Sequence, residues 1–542
     1  MTTQPLRRRA LLAAALAATF TLAACDNVGV EPQSAASADR VFTESGAYTA
    51  FLAKLYGSLI VTGQTGPAGS GDLTRLDEGF SQYTRLLWQM QELTTDAAVI
   101  AWNDNGIRDL NNHSWSSSNQ FTSAMYYRIF FLVAQSNEFL RQSTPERLEQ
   151  YGVSAEDRAL IPQFRAEARF LRALSYWHAM DLYGGVPIVT EEAGISIRPP
   201  EANTRAEVFE FVESELLAIT GGGDETLAPI GAVEYGRADA GAAFMVLAKI
   251  YQNAIVYTGQ DRSSDVIEYT TRIINSGAYQ LDDDYHHLFL ADNNTSPEMI
   301  FTNPQDGTRT QSFGGTTYLV HAPYGGAMDP ASFGIDGGWF GLRTTPTYVD
   351  YYEAGDQRPV FPNVQPEGSQ FFRVGQTKEI TDQGDFSQGF TVPKYQNVTS
   401  TGVPGSNATH PDTDYPMFRL GDVYLMYAEA VLRGGGGSRS QALAYVNALR
   451  ERAFEDSDDN ISDGELTLEF ILIERAREMM WEGHRRTDLV RFDRFSDNGV
   501  WALKGGVPEG TTTPAFRDLF PIPASELRAN PNLTQNPGYT GS

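Results

Sequence analysis

Within residues 101–115 the chain sets Trp102, Asn103, Asp104, Asn105, Arg108, Asn111, Asn112, His113 and Trp115 in one short polar stretch. Flat aromatic faces flanked by amides, a carboxylate and a guanidinium are what sugar recognition requires. The apolar side of a pyranose stacks on the ring, and its hydroxyls exchange hydrogen bonds with the polar groups. Two tryptophans in a loop this polar are not expected to be buried together. Trp102, Asn103, Asp104, Arg108 and Trp115 form a first candidate ligand-binding set, the alternative being that the indoles pack locally. A second set lies far along the chain, where Tyr318, Tyr324, Trp339, Phe340 and Arg343 stand among Gly314, Gly315, Gly325, Gly326, Gly337 and Gly338. Glycine beside aromatic residues lets a loop aim rings toward a ligand, and equally suits a loop that orders against a protein partner.

A catalytic reading competes at residues 474–491, where Glu474, Glu478, Glu482, Arg485, Arg486, Asp488 and Arg491 cluster with His484. A metal or acid–base centre wants histidine with histidine or carboxylate at a defined spacing, as in HExxH, which this run lacks. At helical spacing Glu474 meets Arg477 and Glu478, and Glu482 meets Arg485 and Arg486. The expectation is a structural ion-pair network that ties the last helix to the tail. A glycoside hydrolase would need two carboxylates about 5 to 10 Å apart across a cleft; with 68 acidic residues such a pair stays open, but no hydrolase motif is visible. Asp282, Asp283 and Asp284 are adjacent rather than spaced as in a calcium loop, and read as a solvated acidic turn. No catalytic residue, metal ligand or cofactor is assigned.

Helical periodicity supplies the elements that position these groups. It appears over residues 47–59 behind Thr43 and Ser45 as possible caps, then near 120–142, 161–183, 205–219, 235–257, 265–276, 419–432, 440–454 and 468–483. In the third of these, Phe164, Ala168, Leu171, Ser175 and His178 make one face, and Phe170, Ala173, Trp177 and Met180 a second. Arg165, Arg169 and Arg172 hold the remaining stripe, so the helix is covered on two sides and meets polar partners or water on the third. Two-sided burial is what helix-pair repeats of the tetratricopeptide kind produce, although no strict 34-residue period survives. Residues 279–416 are instead rich in Gly, Pro, Asn, Asp and aromatics, a large irregular insert. Gly184 and Gly185 read as a helix stop, and the proline-rich end, with Asn530, Pro531, Asn532 and Leu533, as structural tail.

The N-terminus reads as a processing signal: Arg7, Arg8 and Arg9 precede a mostly apolar run too short to span a bilayer, which closes on Leu22, Ala23, Ala24 and Cys25. The only cysteine of the chain therefore reads as a lipidation site, with residues 1–24 removed and 25–42 a lipid anchor and tether. Both export routes, general secretory and twin-arginine, stay open. A net charge of −27 argues against a nucleic-acid partner, since phosphate binding wants a basic face.

Four separated stretches resemble the SusD/RagB family of outer-membrane lipoproteins. They are EARFLRALSYWHAMDLYGGVPIV at 167–189, FRLGDVYLMYAEAV at 418–431, IERAREMMWEGHRRTDLVRF at 473–492, and LFPIPASELRANPNLTQNPGY at 519–539. The resemblance implies a mostly α fold: a tetratricopeptide-like helix-pair superhelix over 43–278, and a loop-rich C-terminal portion over 279–542 whose helices at about 419–483 pack back on the body. It further implies a non-catalytic, surface-exposed lipoprotein of the outer membrane. Such a protein captures oligosaccharide, or peptide in the RagB branch, and delivers it to a SusC-like TonB-dependent transporter. Ligand-facing Trp and Asn residues often lie in the family's loop before the helix that here holds Tyr127 to Phe130, which points to residues 101–115 again.

Overall fold

The computed structural model describes residues 41–540 apart from 68, 70, 75, 194–197 and 365–367. The expected signal, the expected lipidation site at Cys25 and nearly all of the expected tether lie outside the described residues. Among those described, no helix is long and apolar enough to cross a membrane.

Helices α1 (Ala47–Ile60), α2 (Tyr83–Trp88), α3 (Arg108–Asn112), α4 (Gln120–Gln142), α5 (Pro145–Gln150), α6 (Ala155–Tyr183) and α7 (Arg205–Thr220) open the chain. Then come α8 (Ala240–Gln252), α9 (Ala254–Thr258) and α10 (Ser263–Asn275). Neighbours stack in order: α4 on α6, α6 on α7, α7 on α8, and α8 on α10. Local chemistry sets the ends. Asn119 accepts from the amides of Phe121 and Thr122 to start α4, Thr204 and Glu207 form a reciprocal capping box on α7, and Gly184 at φ 77° stops α6. On α6 both expected faces are buried, and the arginine stripe finds polar partners: Arg165 pairs with Glu225 at 2.6 Å, Arg169 with Glu215 at 2.8 Å, and Arg172 with Glu215 at 2.6 Å.

Three expected ends move. Helix α1 starts at Gly46, in the left-handed region at φ 77°, with no side-chain cap from Thr43 or Ser45. The stretch expected over 235–257 begins only at Asp239, which caps α8, and breaks at Asn253. Helix α15 (Leu468–Glu478) ends five residues short of Gly483, because Trp481 at φ 61° and Gly483 at φ 76° turn the backbone left-handed.

The insert carries α11 (Gly315–His321) and α12 (Pro346–Val349), and two antiparallel ribbons staple it to the body. Strand β1 (Val99–Ile100) pairs with β3 (Leu342–Arg343), and β2 (Met299–Asn303) pairs with β4 (Tyr415–Arg419). Helices α13 (Leu420–Leu432) and α14 (Arg439–Phe454) then continue the stack, α13 packing on both α10 and α14. Helices α16 (Arg485–Arg491) and α17 (Ala524–Ala529) complete the chain. One apolar core runs from Phe42 to Ile522 through repeats and insert alike.

Candidate functional site

The charged run between α15 and α16 is interior. Arg419 donates to Glu298 at 2.8 Å, to Glu478 at 2.7 Å and to Glu482 at 2.6 Å, and Arg358 reaches Asp356 at 2.6 Å and Glu474 at 2.7 Å, every partner being fully buried. The cations hold Glu478 and Asp488 well below the usual carboxylate range despite burial, which acts the other way. Glu474 does meet Arg477 at 3.0 Å, one turn away. Glu482 does not meet Arg485 or Arg486, because the left-handed turn separates them. Those arginines reach Asp96 at 2.7 Å and Asp181 at 3.1 Å instead, so the network ties α15 and α16 to the helical body and to β4 rather than chiefly to the tail. Burial pushes His484 down to about 3, a neutral group within the cluster.

The two aromatic loops, by contrast, converge. Pairing of Val99 with Arg343 and Ile100 with Leu342 brings residues 101–105 against residues 339–341. The Trp102 Nε1–H donates to the carbonyl of Trp339 at 2.8 Å, and the rings lie 6.3 Å apart at 42°. Gly341 permits this: a Cβ there would sit 2.7 Å from the Trp102 ring. Trp339 stacks on His321 at 4.8 Å and 15°, and both indoles stay partly exposed. Beside them Phe340 is 51% exposed with φ 51°, held by its backbone N–H, which donates a hydrogen bond to the Tyr324 carbonyl at 2.9 Å, and by the Phe386 ring at 5.4 Å.

Next to Trp102 opens a hollow of about 300 Å³ lined by Asp77, Phe80, Arg85, Asp104, Gln120 and Phe121, the lower end of the small-ligand range. Arg85 lies over the Tyr318 ring at 4.4 Å and the Trp102 ring at 5.8 Å, and donates to the Phe313 carbonyl at 3.1 Å. Its Nε has no hydrogen-bond partner among the described residues, and desolvation lowers its pKa against the opposing pull of Tyr318, Asp77 and Asp104. A guanidinium poised this way, beside carboxylates and an indole face, can donate to ligand hydroxyls.

Of the expected ligand-binding residues, Trp102 and Asp104 line this hollow, Trp339 packs partly exposed against Trp102, and Phe340 and Asn103 are exposed on the adjoining loops. The other four point elsewhere. Trp115 is 1% exposed, donates to the Tyr539 hydroxyl at 2.6 Å and packs on Phe520, so it anchors the tail. Tyr324 is fully buried with its hydroxyl on the Tyr395 carbonyl, and Arg343 is buried, donating to the carbonyls of Gln388 at 2.6 Å and Gln383 at 2.7 Å. Arg108 turns beneath the loop and donates to the carbonyls of Ala101 at 2.5 Å and Trp102 at 2.8 Å, which positions the indole without facing a ligand. Sequence reasoning missed Asp77 and Arg85. A lone arginine in the apolar run around α2 was the available signal, and no local pattern ties it to Trp102.

A stacked-helix body that presents an aromatic, hydrogen-bonding hollow on one face defines a binding protein of the helical-repeat class. The family model for the SusD family matches residues 362–539. The chain is 34% identical to the starch-binding protein SusD of Bacteroides thetaiotaomicron across 94% of each chain, and 26% identical to SusD-like protein P2 of Formosa agariphila across 80% of this chain and 83% of that one. Among solved structures it is similar to surface glycan-binding protein A from Bacteroides fluxus, with a TM-score of 0.67, 21% identity, and 92% and 100% of the chains covered. It is similar also to that of Bacteroides thetaiotaomicron in complex with laminarihexaose, with a TM-score of 0.67, 19% identity, and 91% and 99% covered. The chain belongs to the SusD family.

Proposed function

We propose that this protein is a non-catalytic glycan-binding lipoprotein that captures oligosaccharide at the Trp102–Trp339 surface. The observation that carries this reading is the meeting of two partly exposed indoles beside a hollow that Arg85, Asp77 and Asp104 line. Pyranose rings stack on the indoles, and Arg85, Asp77, Asp104 and Asn103 exchange hydrogen bonds with the hydroxyls. The starch-binding relative and the neighbour solved with laminarihexaose support glycan over peptide as the ligand class. Acyl chains on Cys25 hold the mature protein to the outer membrane, facing outward, and a SusC-like TonB-dependent transporter receives the glycan; membership of the SusD family supports both.

Tryptophan fluorescence of the signal-less protein, titrated with maltooligosaccharides, laminarioligosaccharides and a peptide panel, tests the reading. A saturable change with one glycan class that disappears in Trp102→Ala is expected. Binding of peptides alone, or glycan binding untouched in both Trp102→Ala and Trp339→Ala, would overturn it. Release of reducing sugar by the wild-type protein would revive hydrolysis.

A further inference from the structure

A second, larger groove of about 960 Å³ lies beside the hollow. One wall is α4, which presents Tyr127, Phe130 and Phe131, all partly exposed. The opposite walls are Pro187, Pro199 and Pro200 and the tail residues Glu526, Asn530 and Leu533. The rings are pre-set: Phe130 packs on Tyr126 at 4.6 Å and edge-on against Tyr176 at 6.2 Å. Glu526 sits half-buried with no ion-pair partner among the described residues, and burial raises its pKa.

The groove and the hollow share two walls. Residues 77 and 80 line the hollow while 73, 74 and 76 of the same loop line the groove; Gln120 and Phe121 of α4 line the hollow while Tyr127 and Phe131 line the groove. From Gln120 to Phe131 the helix advances about 16 Å. A chain bound across the indoles thus meets a second aromatic stretch along the same helix. Peptide is a poorer occupant. A peptide held by strand addition needs the backbone groups of a sheet edge, and this lining is helix, tail and three prolines that lack an N–H. Rings beside the Glu526 carboxylate suit sugar, with Tyr127 already hydrogen-bonded to Ser525 and Asn530 donating to the Pro200 carbonyl at 2.9 Å, so the aromatic faces and Glu526 supply the contacts.

We propose that the groove is a remote glycan subsite, so that oligosaccharides longer than the hollow engage both stretches and bind more tightly than short ones. This rests on the glycan reading above. The test is calorimetric titration of maltotriose and maltoheptaose into the wild type, Tyr127→Ala/Phe131→Ala, Glu526→Gln and Trp102→Ala, each checked for native circular dichroism. The expected result is an unchanged maltotriose affinity and a tenfold or greater loss for maltoheptaose in the double variant, with a few-fold loss in Glu526→Gln, which keeps the shape of the wall. Equal wild-type affinity for the two sugars would overturn the subsite, as would wild-type maltoheptaose affinity in both groove variants. Groove variants that weaken only co-purification with a transporter would make the occupant a protein and the proposal wrong. Trp102→Ala separates the two claims: maltotriose binding that survives it refutes the hollow, whereas the groove is judged on the maltoheptaose loss alone.

Discussion

The charged cluster around Arg419 and the aromatic surface around Trp102 are the two regions of this chain whose composition invites a functional reading, and they differ in exposure: the first is sealed in the interior and the second reaches solvent. At Arg419 three buried carboxylates converge on one guanidinium, and no face is left for a ligand. At Trp102 the indole is partly exposed, Arg85 lines a hollow beside it, and Phe340 holds a left-handed backbone with half its surface in water. Charge density alone therefore marks structure here, and aromatic rings left open to solvent beside polar groups mark recognition.

Four experiments break or sharpen that contrast, from the largest effect down. Burial pushes His113, His178 and His484 down to about 3. Below the ordinary histidine value of about 6.5 the unfolded chain takes protons that these groups refuse. Stability then falls as pH drops from about 6.5 toward 3, by up to about 4 kcal/mol per pH unit for three groups. Glu92, pushed up to about 8 by burial, opposes this by one proton down to about pH 4.5, whereas His287, raised beside Asp282, is protonated in both states below about 6.5 and adds no slope there. The depressed carboxylates Glu478 and Asp488 add a second loss below about pH 4.5, where the unfolded chain protonates first. Urea unfolding at pH 7, 6 and 5 measures the first slope; a flat profile would contradict it.

Arg419→Met leaves Glu298, Glu478 and Glu482 with less compensation and is expected to lower unfolding free energy by about 3 to 5 kcal/mol. Glycan affinity of the folded protein should stay unchanged, as calorimetry at low temperature would show. Trp102→Ala should do the reverse, weakening glycan binding by about 2 kcal/mol or more, as at a recognition hot spot, with a smaller loss of thermal stability. Phe340→Gly separates the two quantities in one residue. Removing left-handed strain should raise stability by about 1 kcal/mol, while affinity falls a few-fold; loss of both in the same titration and melt would mean that Phe340 packs rather than binds.

Much of the architecture was legible in the sequence. The two faces and arginine stripe of α6, the irregular insert, and the helix bounds at Gln120 and Gln142 follow from periodicity and caps, which are local. The site was legible only in halves. Trp102 and Trp339 each stood out by type, yet what joins them is a two-residue ribbon between strands far apart in the chain, too short to leave a periodic mark. The same distance hid the misassignments: Trp115 is claimed by Tyr539 and Arg343 by the carbonyls of residues 383–388, partners that no local pattern announces.

The most direct test of the central claim is a crystal structure of the signal-less protein soaked with maltoheptaose, or with whichever glycan the fluorescence panel selects. The account predicts a pyranose stacked on Trp102 or Trp339 with hydroxyls within hydrogen-bond reach of Arg85 and Asp77. A sugar bound with full occupancy elsewhere, leaving both indoles bare, would contradict it.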